Sequence, residues 1–139
     1  MGGINLARVL IGGIVAGIVA NAGDYLIQEV ILAEDNAQLV QRLNLDPVRV
    51  EASFTTWIAA DFLYGILLVF AYAAMRPRFG PGPRTAVISA LTLYLAITVV
   101  LMGFMSMGMF VQDAFMRSAG LQLVVTLAAS LSGAAVYKE

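Results

Sequence analysis

Thr85–Phe110 reads TAVISALTLYLAITVVLMGFMSMGMF, a run without a single Asp, Glu, Lys or Arg. A helix rises about 1.5 Å per residue, so about 20 apolar residues cross the hydrocarbon core of a bilayer. This run is longer than that, and it reads as a membrane-spanning helix. Working outward, Ser118–Tyr137 is a second uncharged run, and Phe54–Met75 is a third, interrupted only by Asp61. The first segment extends from about Leu6 to Leu32, uncharged from Val9 to Gly23, then carrying Asp24 and Glu29. The expected fold is all-α: a polytopic membrane protein, one domain over 1–139, with transmembrane helices at about 6–32, 52–75, 85–110 and 116–137.

Composition agrees with a surface covered by lipid. Hydrophobic residues make up 60% of the chain and charged ones 12%, against roughly 45–50% and about 25% in soluble domains. There is no cysteine and no histidine. Disulfides, thiolate nucleophiles, Cys-ligated metals, the usual general base and the commonest transition-metal ligand are therefore excluded. No serine stands in a G-x-S-x-G setting. An enzyme is not expected, nor a cofactor. With a net charge of −1 and no basic stripe interleaved with aromatics, nucleic acid is not an expected partner.

The first segment has a second reading. Arg8, the apolar run Val9–Ala20 and Ala20-Asn21-Ala22 imitate a signal peptide with its cleavage site. Apolar residues resume at Tyr25-Leu26-Ile27, which favours a retained helix. Orientation follows from the basic residues. Arg8, Arg76, Arg78, Arg84 and Lys138 share one side with the single acid Glu139; Arg42, Arg49 and Arg117 share the other with Glu34, Asp35, Asp46, Glu51 and Asp113. Both termini are thus expected in the cytoplasm, with the protein in a bacterial inner membrane. The first outer connection, near Ala33–Ser53, is long enough for a short interfacial helix. Asp35-Asn36 would cap it, and Leu39, Val40 and Leu43 would share its face; an irregular loop is the alternative. Asp46-Pro47 reads as the N-cap and first residue of the second spanning helix.

Gly13, Gly17, Asn21, Asp24 and Gln28 recur at spacings of three or four, which places them on one helical face. Gly13 and Gly17 read as a helix-packing surface, since small residues at this spacing let another helix approach closely. Asp24 and Asp61 carry more weight. A carboxylate deep in a spanning helix costs about 2.5–3.5 kcal/mol on insertion scales and usually faces an interior or a cavity. Both acids fall about 10 Å inside the same membrane face at the helical rise, and Gln122 falls near that level. Asn21, Asp24, Asp61 and Gln122 are therefore candidate ligand-binding residues of one polar pocket. Two carboxylates close together in a low dielectric do not both ionise cheaply, the arrangement expected of a proton- or cation-linked site. The plainer alternative is that each bonds a neighbouring helix.

Met102, Met105, Met107, Met109 and Met116 cluster in and after the third segment. Thioethers bind Cu(I), but without His or Cys the expectation is core packing and no metal. A faint internal repeat relates the two hairpins: Phe54, Asp61 and Ala73-Ala74 recur as Phe115, Gln122 and Ala134-Ala135, with Arg8 and Arg84 opening the first and third helices. Arg76, Arg78 and Arg84 flank a Pro/Gly turn and are expected at anionic lipid headgroups. The loop Ala73–Thr85, AAMRPRFGPGPRT, taken with Arg8, Gly12-Gly13 and Gly17, resembles a set of small bacterial four-helix inner-membrane proteins of uncharacterised function. That resemblance implies bacterial inner-membrane residence and no activity.

The function expected is a binding or transport component for a cation, proton or small polar solute. The alternative is a non-catalytic accessory or scaffold subunit. Four helices enclose little volume, so the expected partners are the lipid bilayer and either a homo-oligomer or a larger membrane complex.

Overall fold

A computed structural model describes residues 3–137. Lys138 and Glu139, which enter the charge argument, lie outside the described residues. Five helices follow one another: α1 (Leu6–Tyr25, continued by a π-helical stretch Leu26–Ile31), α2 (Ala33–Arg42), α3 (Pro47–Phe79), α4 (Pro83–Ser106) and α5 (Gln112–Val136). Four of them are long and apolar enough to cross a membrane, all but α2. The chain is a bundle of membrane-spanning helices in contact with lipid.

Local chemistry sets the starts. The Asn5 side chain accepts from the Arg8 amide at 3.2 Å, and the Asp46 side chain accepts from the Val48 amide at 3.0 Å with Pro47 in the first turn. Each satisfies an amide that the helix itself leaves unpaired. The end of α3 differs from the expected stop near Met75. The helix runs through Pro77 to Phe79, because a proline in the last turn forfeits only the bond to Ala73. The Gly80 amide then closes the end on the Arg76 carbonyl at 2.8 Å. Gly80 and Gly82 adopt φ of 81° and 120°, a reversal that side chains disfavour. Thr85 Oγ1 ties the turn by donating to the Gly80 carbonyl at 2.6 Å.

α1 is the central helix, packed on α3 along one side and α5 along the other. Gly13 and Gly17 meet α3 at Ile66 and Phe62, and Gly65 of α3 rests directly on the backbone of both glycines. Gly12 meets Gly133 of α5 in the same backbone-to-backbone manner. Gly65 and Gly133 complete contacts of which only the α1 half stands out in the sequence. α4 is peripheral. Its buried residues, Thr85, Ala86, Ser89 and Ala90, all lie in its first half. Met102 near the end of α4, Met107 just beyond it and Met116 on α5 are exposed, whereas Met105 is half-buried, so the methionines do not form the expected packed core.

The turn end of the bundle is closed by tyrosines. The Arg76 guanidinium lies over the rings of Tyr72 and Tyr137, 5.9 and 5.4 Å from their centroids. The two rings meet edge to face at 6.0 Å. Tyr72 accepts from the Gly82 amide at 3.1 Å and Tyr137 from the Asn5 amide at 3.3 Å. The three loop arginines thus divide: Arg78 and Arg84 are exposed, whereas Arg76 is half-buried against the rings.

At the opposite end α2 forms as a short helix, but Asp35-Asn36 do not cap it. The helix begins at Ala33 without a side-chain cap, and Asn36 instead donates to the Gln28 carbonyl and Gln28 Oε1, both at 2.9 Å. Asp35 receives Arg117 of α5 at 3.0 and 3.2 Å, while Arg117 also holds Asp113 at 3.1 Å. Arg42 donates to the Met109 carbonyl. Exposed ion pairs contribute about 0.2–1 kcal/mol each and weaken with salt. Arg117→Ala is therefore expected to speed amide hydrogen exchange in 33–42 while leaving the spanning helices unchanged. High salt should do the same to the unaltered protein; equal protection in all samples would show that α2 is held by other contacts.

Candidate functional site

The site forms where α1, α3 and α5 meet, at the end where α1 changes to π-helical hydrogen bonding. The Leu32 amide bonds the Ile27 carbonyl at 2.8 Å, an i to i−5 bond. Such a segment often marks a functional position. One turn before it, Asp24 Oδ1 accepts from Gln122 Nε2 of α5 at 2.7 Å. The carboxyl of Asp61, buried on α3, is within hydrogen-bonding reach of Asp24. An ionised carboxylate only accepts hydrogen bonds. A bond between Asp24 and Asp61 therefore exists only while one of them carries a proton.

Three of the four sequence candidates, Asp24, Asp61 and Gln122, are brought together. Asn21 is used differently. Its Nδ2 donates to the Gly17 carbonyl at 3.0 Å and to the Ile58 carbonyl at 3.3 Å, so it straps α1 to α3. Gln28 on the same face is occupied by Asn36. The repeat-related pair Asp61 and Gln122 both face Asp24, while Phe54 is exposed and Phe115 buried. The correspondence holds at the polar position and at the alanines, where Ala73 and Ala134 are both buried, and fails at the phenylalanines.

Residues that did not stand out in the sequence complete the surroundings. Tyr64, one turn beyond Asp61, faces Asp24 electrostatically and lies against Thr126, which is one turn beyond Gln122. Thr126 is fully buried. Its Oγ1 forms no well-shaped hydrogen bond among the described residues, so the Tyr64 phenol is a close neighbour and not an ideal partner. Tyr94 of α4 is within electrostatic range of Tyr64 and donates to the Ala119 carbonyl at 2.8 Å. The i+3 and i+4 offsets from Asp61 and Gln122 were the available signal, since such residues share a helix face.

Among the described residues, no group of three His, Cys, Asp or Glu side chains is placed to hold a metal ion. A shallow open depression lined by Asn44, Asp46, Arg49 and Ser53 lies at the α2–α3 connection, a place on α3 far from Asp61. In the comparisons, no family model, curated protein or solved structure matches the chain. Function is therefore to be read from the site itself.

Proposed function

We propose that this chain is a small binding or transport component whose Asp24–Asp61 pair takes up a proton or a cation within the membrane. The observation that carries the reading is the meeting of two acids from different helices, with Gln122 donating to one of them. Ionisable residues inside a bilayer are costly and mark ion or proton pathways when they face an interior. The geometry favours a small occupant. Carboxyls within hydrogen-bonding reach leave space between them for a proton, and only a modest separation would admit a monovalent cation in its place. Four helices offer no wide passage, so a larger solute would need several copies or a larger complex. The basic residues and the resemblance of the AAMRPRFGPGPRT loop support a bacterial inner membrane, with that loop and both termini in the cytoplasm. The carboxyl pair then lies toward the opposite face, and no catalytic role is assigned.

Infrared difference spectroscopy of the reconstituted chain tests this reading. Changing pH, or adding Na⁺ or K⁺, is expected to alter a protonated-carboxyl band. That band should be lost or displaced in both Asp61→Asn and Asp24→Asn. A spectrum of the unaltered protein that responds to neither pH nor cations would sink the proposal.

A further inference from the structure

From the carboxyl pair toward the Gly80–Gly82 turn, the buried hydroxyls follow one track. Gln122, Thr126 and Ser130 recur every fourth residue on α5, hence along one face. Ser130 Oγ lies 3.2 Å from Ser89 Oγ of α4, and both donate to the Ala86 carbonyl, at 2.8 and 2.9 Å. One turn further toward the loop, Thr85 Oγ1 donates to the Gly80 carbonyl at 2.6 Å. Thr85, Ser89, Thr126 and Ser130 are each at most 1% exposed. Along α5 and then α4 this track covers about 18 Å at the helical rise, from the depth of the acids to the turn.

Serine and threonine in spanning helices commonly join helices by hydrogen bonds, and that role accounts for Ser89 and Ser130. It does not account for Thr126. Its buried Oγ1 has no well-shaped partner, a condition that costs about 1–3 kcal/mol unless a water fills the gap. The position is central: the Tyr64 phenol, which faces Asp24, is on one side, and Ser130 follows one turn along on the other. The buried residues beside these hydroxyls in sequence are Ala86, Ala90 and Ala129, whose methyl groups occupy little space.

We propose that Tyr64, Thr126, Ser130, Ser89 and Thr85, completed by water at Thr126 and between Ser89 and Thr85, form a hydroxyl file that conducts protons between the Asp24–Asp61 pair and the Gly80–Gly82 turn. This inference rests on the carboxyl-pair reading above. Each hydroxyl accepts a proton on one lone pair and releases its own to the next oxygen, so one O–H bond forms as another breaks. The hydroxyls then rotate back, and the net change is one proton moved. The groups beside Asp24 of α1 and Asp61 of α3 are Gln122 from α5 and Tyr64 from α3, with Tyr94 from α4 next to Tyr64.

The purified full chain in liposomes, with a pH-sensitive dye inside and a valinomycin–K⁺ potential, gives the test. The unaltered protein is expected to raise proton uptake about tenfold over protein-free vesicles, and Thr126→Val to remove most of that gain, a loss of about one decade in rate. Thr126→Ser, which keeps the hydroxyl, should retain it. The infrared carboxyl response should persist in Thr126→Val, which separates the file from the site. Should Thr126→Val fail to fold, Ser130→Ala provides the same comparison and the same expected loss. Wild-type flux in a folded Thr126→Val or Ser130→Ala protein, or loss of flux in Thr126→Ser, overturns the file. No flux with a live carboxyl band overturns the file alone; no flux with a silent band overturns both readings.

Discussion

Gly65→Ala is expected to loosen the bundle by about 1–3 kcal/mol, the usual cost of forcing extra volume into a packed contact. An added Cβ at Gly65 would stand 2.5 Å from the Gly13 carbonyl oxygen and 2.9 Å from Gly17 Cα. Both neighbours are backbone, so no side-chain rotation relieves the clash, and α1 must move away from α3. The carboxyl pair spans the same two helices, one turn from Gly65 on α3, so the same displacement should pull Asp24 from Asp61. Gly120→Ala on α5 is the control: nothing lies within 4 Å of its added Cβ, and alanine in place of a helical glycine contributes up to about 1 kcal/mol. SDS titration in mixed micelles, followed by circular dichroism, should show an earlier midpoint for Gly65→Ala and an equal or later one for Gly120→Ala. Equal midpoints for the two variants would mean that the α1–α3 crossing adjusts without cost.

What the sequence discloses and what it withholds have separate physical causes. Spanning helices are legible because a bilayer demands length and apolarity of each helix individually, as in Thr85–Phe110. Packing is a property of pairs. Gly13 and Gly17 are visible as a four-residue spacing, but Gly65 and Gly133 have no second glycine at that spacing, and nothing local distinguishes them from Gly103 or Gly120. The methionines show the same limit, since apolar side chains in a membrane are equally at home facing lipid or a helix. The site was half legible. Depth within the membrane aligned Asp24, Asp61 and Gln122 without any knowledge of packing. Asn21 shares their face by period, yet its short amide reaches the Ile58 carbonyl first. Arg76 was read with its neighbours as a headgroup contact because the tyrosines that receive it come from one turn back and from the far end of the chain.

Asp24→Leu should cost more than its loss of one hydrogen bond. It would strand the Gln122 amide and remove the partner of buried Asp61, and a buried polar group left unpaired costs about 1–3 kcal/mol. The triple replacement Asp24→Leu, Asp61→Leu, Gln122→Leu is expected to recover most of that loss, because exchanging all partners together for apolar groups leaves nothing stranded and is often neutral or stabilising. In lipid the recovery should be at least as complete, since the replacements also remove the insertion cost of the acids. SDS midpoints for the single and triple variants, measured beside the infrared response to pH and cations, decide between two accounts of why the acids are there. A triple variant near the unaltered midpoint and without a carboxyl response would mean that the bundle does not need the acids to hold together, so their place in the membrane answers to binding. A triple variant as unstable as Asp24→Leu would mean that the polar contacts themselves fasten α1, α3 and α5, the outcome that favours an accessory subunit built around a packing device.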